Sequence, residues 1–251
     1  AQPFVFNARN VTLDFERLEG EVPHFHEHSS ADYLTKIAPY DWNMDARAPR
    51  WRQFLEEIFP SEELREFVQR AVGYSILGTT REQCFFICWG TGANGKSTFL
   101  STLLHVLGRE YADTVKTQAL MAGTSENYQN EIAHLRGKRF IAAIETGDGK
   151  RLDEALIKSL TGGDLIRARH LYQEGFTYKP EFTLWLATNN RPNIRETGHA
   201  MWRRLGLISF TQRFGEDRRD PNLESKLLYE AEGILAWCVD GAVKYMKDGL
   251  N

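Results

Sequence analysis

The sequence predicts an α/β fold in which a mostly parallel central sheet is preceded by a small helical subdomain and followed by C-terminal helices. Three observations carry this. From Gln83 onward, short apolar runs alternate with stretches of helical period, the pattern of strands and crossover helices in a layered domain. A glycine-rich stretch, GTGANGKST from Gly90 to Thr98, joins an apolar run to an amphipathic one, as a strand-to-helix loop does. On either side, over 49–77 and 223–246, apolar residues recur mostly at helical spacing.

With 251 residues and 42% hydrophobic content the chain can bury a sizeable core. A scale of ~150 residues per domain allows one large domain or two small ones, and one domain with an appendage is the working picture. Residues 1–30 are polar and irregular and are expected to form an extended or linker segment. Within them HFHEH, His24 to His28, would place three imidazoles on one face of an extended chain, as a metal site does. No acidic or cysteine partner stands in a fixed register with them, so a solvated strand or flexible linker is expected.

Residues 31–80 read as a helical subdomain, with Phe54, Leu55 and Ile58 marking one helix over 49–59 and Leu64, Phe67, Val68 and Ala71 a second over 61–77. Ser61, followed by Glu62 and Glu63, has the chemistry of an N-cap with acids in the first turn. In the 81–215 core, strands are expected over 84–89, 139–145, 182–187 and 205–210, and helices over 96–107, 128–135 and 152–160. The C-terminal segment, 216–251, is a helical pattern that Gly233 is expected to break or bend.

Several classes are excluded by composition. A net charge of −3 and a pI near 6.2 argue against a protein that coats nucleic acid with its whole surface, so any such contact must be local. The three cysteines lack paired spacing and suggest reduced thiols, with Cys84 and Cys88 in the core. There is neither an apolar stretch of about 18 residues nor a signal pattern at the N-terminus, and a cytoplasmic, membrane-free protein is expected. The chain begins abruptly with Ala1, as a piece of a longer polypeptide would.

The chemistry begins at the loop. Gly90, Gly95, Lys96 and Ser97 fit the G-x-x-x-x-G-K-[ST] spacing, with the required strand before and helix after. Gly90, Gly92, Ala93, Asn94, Gly95, Lys96, Ser97 and Thr98 would cradle a nucleotide triphosphate through backbone N–H groups and the helix N-terminus, with Lys96 on the outer phosphates and Ser97 on Mg²⁺. Glu145, at the end of an apolar strand, and Asp148 could hold Mg²⁺ or orient an attacking water. Asn189, at the end of a second such strand, could position water near a γ-phosphate. Arg203 and Arg204 could stabilise charge on a transferring phosphoryl group, whereas an ordinary Arg pair is a solvated surface. Between Asp148 and Asn189, Thr161 to Pro180, TGGDLIRARHLYQEGFTYKP, reads as a β-hairpin turning at Gln173–Gly175. It carries Arg167, Arg169 and His170 for phosphates and Tyr172 for stacking.

Gly90 to Ser97, Glu145, TGGD with ARHLYQ, LWLATN ending at Asn189, and MWRRL occur in one order, and together they resemble the helicase part of phage and plasmid primase-helicases, a poxvirus- and phage-primase-like group. These are superfamily 3 helicases, AAA+-related ring ATPases, and the resemblance covers roughly 31–245. It implies an AAA+-like P-loop NTPase fold, with Lys96 and Ser97 as the Walker A pair, Glu145 as the Walker B acid and Asn189 as the sensor. Arg204 is implied as arginine finger, with Arg203 second. Thr146 and Gly147 follow Glu145 where relatives often carry a second acid, so Asp148 stays open as base or metal ligand and Glu145 ranks first. The hairpin is implied as the loop that grips DNA in the ring's channel.

The resemblance thus implies an ATP-driven translocase, a replicative DNA helicase of a phage or plasmid acting in the host cytoplasm. It would work as a homo-hexamer on single-stranded or forked DNA with ATP and Mg²⁺, and with a primase or polymerase domain on the same full-length chain. Two other classes share parts of the pattern: a P-loop kinase, and an ATP-dependent DNA-binding initiator without motor activity.

Overall fold

A computed structural model describes residues 2–123, 128–144, 151–190 and 199–250. Five strands form a wholly parallel sheet: β4 (Phe85–Trp89), β5 (Ala112–Thr114), β6 (Phe140–Ile144), β9 (Thr183–Thr188) and β10 (Leu205–Ser209), in the order β10-β4-β9-β6-β5. The inner strands β4, β6 and β9 are apolar on both faces, as a sheet covered by helices on both sides requires. Phe86, Cys88, Phe140, Ala142, Trp185 and Ala187 point into one core, and Phe85, Ile87, Ile141, Ala143, Leu184 and Leu186 into the other. The expected strands over 84–89, 139–145, 182–187 and 205–210 lie at β4, β6, β9 and β10. β5 is too short to leave a periodic signal.

The first core is closed by α1 (Pro49–Ile58), α2 (Glu62–Ile76), α3 (Lys96–Tyr111), α7 (Leu223–Tyr229) and α8 (Ala231–Asp248). The Ser61 hydroxyl accepts from Leu64 N at 3.3 Å, the N-cap expected from sequence. The other core is covered by α4 (Tyr128–Ala133), α5 (Glu154–Gly162) and the hairpin of β7 (Ile166–Ala168) and β8 (Phe176–Tyr178); the short α6 (His199–Trp202) leads into β10. No helix among the described residues is long and apolar enough to cross a membrane. All three cysteines are free thiols, with Cys88 and Cys238 buried.

Residues 1–30 differ from the linker reading. β1 (Val5–Asn7), β2 (Thr12–Glu19) and β3 (Val22–His26) form an antiparallel meander whose Phe6, Leu13 and Phe15 are fully buried in the first core. Phe6 stacks on Tyr111 at 4.4 Å, and Asn7 N donates to the Tyr111 hydroxyl at 3.0 Å. The buried Arg139 donates to Ile76 O at 2.7 Å and to Gln2 O at 3.2 Å, fastening the meander to α2 and β6. The three histidines are engaged separately: His24 with Glu19, His26 with its neighbour's carbonyl, and His28 with Thr12. No metal-binding cluster occurs among the described residues.

The C-terminal pattern breaks at Glu230, not at Gly233. Glu230 turns its carboxylate onto the open N-terminus of α1, accepting from Arg50 N at 3.0 Å and Trp51 N at 2.9 Å. Gly233 lies inside α8, where a Cβ would stand 2.4 Å from Arg47 O, so glycine there permits close approach of α8 to the segment before α1. The same logic joins α2 to α8: a Cβ on Gly73 would meet Ala242 N and Gly241 C at 2.0 Å. Gly73→Ala must force these helices apart, and we expect it to destabilise the fold by about 3 kcal/mol, read as a lower urea midpoint at unchanged m-value.

Candidate nucleotide site and nucleic-acid interface

The parallel sheet brings the ends of β4, β9 and β6 together. Trp89, the last residue of β4, pairs with Thr188, and Ile144, the last of β6, with Ala187. The loop from Gly90 to Gly95 therefore opens beside Asn189. Gly92 (φ +101°), Ala93 (+49°) and Gly95 (+86°) all have left-handed or positive-φ backbone, which aims successive N–H groups inward. At Gly90 a Cβ would lie 2.2 Å from Asn94 Nδ2 and 2.4 Å from Phe210 O, so this position admits no side chain.

Lys96 begins α3 and is 5% exposed. Its ammonium donates to Gly90 O at 2.5 Å, Asn94 Oδ1 at 3.0 Å and Asn189 Oδ1 at 3.1 Å. Two residues singled out separately in the sequence, Lys96 and Asn189, thus meet at one cation. Burial lowers the Lys96 pKa from the ordinary lysine value, with the neighbouring Cys88 acting weakly the other way. Among the described residues the acceptors of this desolvated cation are neutral oxygens, an arrangement that suits an incoming phosphate, which would supply negative charge. Asn94 is buried, and its amide donates to Phe210 O at 3.3 Å, so its side chain braces the loop against the chain after β10. Ser97 is exposed in the first turn of α3 and Thr98 half-buried, with the first intrahelical bond formed at Phe99 N. The preceding N–H groups are left for an anion.

An open cleft of about 620 Å³ adjoins the loop, lined by Ala93, Gly95 and Thr98 together with Phe54 of α1, Phe214 and Leu223. Phe214 N donates to Ala93 O at 2.8 Å and holds this wall against the loop. Charged side chains, among them Arg50, Glu57, Arg219 and Asp220, share the lining, and the apolar part of the wall beside the phosphate cradle fits the base of a nucleotide. These walls were not singled out from sequence, since α1 and the 210–223 segment carry no motif. Glu145 and Asp148 lie outside the described residues.

Arg203 and Arg204 stand at the other end of the sheet. Leu205 pairs with Phe85, the first residue of β4, so the two arginines are a strand's length, roughly 15 Å, from the phosphate loop of their own chain. Arg204 is 9% exposed and donates to Ala200 O at 2.7 Å. Arg203 is exposed, and its Nη2 donates to Gln83 Oε1 at 2.8 Å.

The hairpin reading holds in the described structure. β7 and β8 pair in antiparallel register, with Arg167 opposite Thr177. Ile166, Ala168 and Tyr178 point to the core, while Arg167 and Arg169 are exposed on the outer side. Tyr172, at the tip with φ +62°, is fully exposed. His170 departs from the other three: it is half-buried, packing on His134 at 4.9 Å and Phe176 at 5.5 Å, so it supports the turn end of the hairpin from below its tip. The Tyr178 hydroxyl donates to Ile132 O at 2.7 Å, fixing β8 to α4.

Comparison with known proteins finds relatives among viral proteins. Residues 1–60 match the family model described as D5 N terminal like, and 88–204 match a family of unknown function, DUF5906. A protein of Acanthamoeba polyphaga mimivirus, provisionally named a helicase, is 32% identical over 78% of this chain and 22% of its own length. A provisionally named helicase of Invertebrate iridescent virus 3 is 26% identical over 89% of this chain and 24% of its own. A provisionally named primase of African swine fever virus is 25% identical over 81% of this chain and 21% of its own. The chain therefore spans about a fifth of the length of these relatives. Among solved structures, the apo NrS-1 C-terminal region shares the fold, with a TM-score of 0.61 at 10% identity over 94% of this chain and 65% of that one. By these matches the chain is a relative of viral proteins provisionally named helicases and primases, and shares its fold with the NrS-1 C-terminal region.

Proposed function

We propose that this chain is the motor part of an ATP-driven DNA translocase, a superfamily 3 replicative helicase that works as a ring, a hexamer in our reading. The observation that carries this is the placement of the phosphate loop and the arginine pair at opposite ends of the sheet's strands, the loop after β4 and the arginines before β10. An arginine so far from its own loop serves a phosphate only on a neighbouring copy, as ring ATPases require and a monomeric kinase does not. ATP would lie on Gly90–Thr98 with its base in the cleft beside Phe54 and Phe214. Lys96 and Asn189 would meet the outer phosphates. Ser97 and Glu145, with Asp148 as the open alternative, would hold Mg²⁺, which supplies charge neutralisation on the phosphates. Exposure favours Arg203 over Arg204 as the residue reaching the neighbour, the reverse of the order that the resemblance implies.

The hairpin is the DNA-gripping element in this reading. Arg167, Arg169 and Tyr172 would line the channel, which reconciles local basicity with a net charge of −3. Arg167→Ala and Arg169→Ala are each expected to weaken binding of single-stranded DNA uniformly across sequences. Each should also flatten the dependence of log affinity on log salt by about 0.7, measured by fluorescence anisotropy with an ATP analogue present. Unchanged slopes in both variants would remove the hairpin from the DNA path. DNA binding without strand separation on a forked duplex would favour an initiator over a motor.

A further inference from the structure

We infer that Gln83 is a positioning residue for the arginine pair, holding Arg203 in the direction from which it reaches the neighbouring subunit's nucleotide; the inference rests on the ring reading above. The amide oxygen of Gln83 accepts from two guanidiniums at once, from Arg203 Nη2 at 2.8 Å and from Arg204 Nη2 at 3.3 Å. A neutral acceptor suits this task. A carboxylate would compensate the arginine charge that the transferred phosphoryl group needs, whereas an amide fixes direction and leaves the charge intact.

The backbone at Gln83 points the same way. Its φ of +51° lies in the left-handed region, uncommon for a residue that is neither glycine, asparagine nor aspartate. The turn that imposes it is closed by Gln83 N donating to Thr80 O at 2.9 Å. Two residues on, Phe85 N donates to Arg204 O at 2.8 Å, which registers the arginine segment against the start of β4. If the turn alone mattered, glycine would serve it better. A strained conformation kept with a long amide side chain is accounted for by what the side chain holds. The strand that ends in the phosphate loop thus begins beside the group that aims the arginine.

Gln83→Gly and Gln83→Met separate this role from a structural one. Glycine relieves the backbone and removes the amide, and methionine keeps the length and removes the strong acceptor. The full chain carrying each is to be assayed for steady-state ATP hydrolysis and melting temperature, alone and mixed with Lys96→Ala, with Arg203→Ala as reference. Both variants are expected to lose kcat by about 10- to 100-fold, the cost of a catalytic group misplaced by about 1 Å, with KM for ATP unchanged. Gln83→Gly is expected to do so without a lower melting temperature. Both should recover in the mixture, because Lys96→Ala supplies an intact Gln83 and Arg203. Wild-type kcat in the Gln83 variants, beside an Arg203→Ala protein that is inactive and rescued, overturns this inference alone. An Arg203→Ala protein that stays active, or is not rescued, overturns the ring reading and this inference with it.

Discussion

Arg203→Ala is expected to lose ATP hydrolysis by about 10³-fold or more, the scale set by arginine fingers in phosphoryl transfer, while still binding ATP. The side chain is exposed and its guanidinium is held by Gln83, so its removal leaves the packing of β10 intact. The deciding part is complementation. Mixed in equal amounts with Lys96→Ala, an Arg203→Ala chain can place its sound phosphate loop beside a neighbour's sound arginine. Random assembly gives about a quarter of interfaces that composition, so activity should return to roughly that fraction. An arginine acting within its own chain gives no recovery, and hydrolysis measured across mixing ratios separates the two.

Lys96→Ala is expected to abolish hydrolysis, by about 10²-fold or more, through loss of the cation that joins the phosphate loop to Asn189. The loss should show in nucleotide affinity too, since a buried ammonium among neutral oxygens contributes to binding before any chemistry. Stability should change little. The variant removes a charge whose burial is unfavourable, which offsets the three hydrogen bonds it forfeits. Calorimetry for ATP affinity and steady-state hydrolysis check both halves, and a Lys96→Ala chain that hydrolyses ATP normally would remove the site.

Local signals proved sufficient for four of the sheet's five strands and for the loop. β4, β6 and β9 are apolar runs covered on both faces, and the glycine spacing declares the backbone conformations later seen at Gly92 and Gly95. The hairpin was legible because Arg167 and Arg169 alternate with buried Ile166 and Ala168. What stayed hidden depends on partners distant in sequence. Phe6, Leu13 and Phe15 become core by joining a cluster built from distant segments, Phe6 by stacking on Tyr111, so 1–30 looks like a linker when read alone. The cleft walls at Phe54 and Phe214 come from segments on either side of the loop. That Arg204 is buried and Arg203 exposed turns on which guanidinium the Ala200 carbonyl captures, and two adjacent arginines give no hint of that. His170 carries the right chemistry for a phosphate contact, but its ring is occupied by His134 and Phe176.

The central claim is that ATP is hydrolysed between copies of this chain and that the hydrolysis is coupled to DNA. Steady-state ATP hydrolysis per chain, measured over a range of protein concentrations with and without single-stranded DNA, tests it most directly. The account predicts a specific activity that climbs steeply with protein concentration and rises further when DNA is added. A rate per chain that is constant with concentration and indifferent to DNA would contradict it.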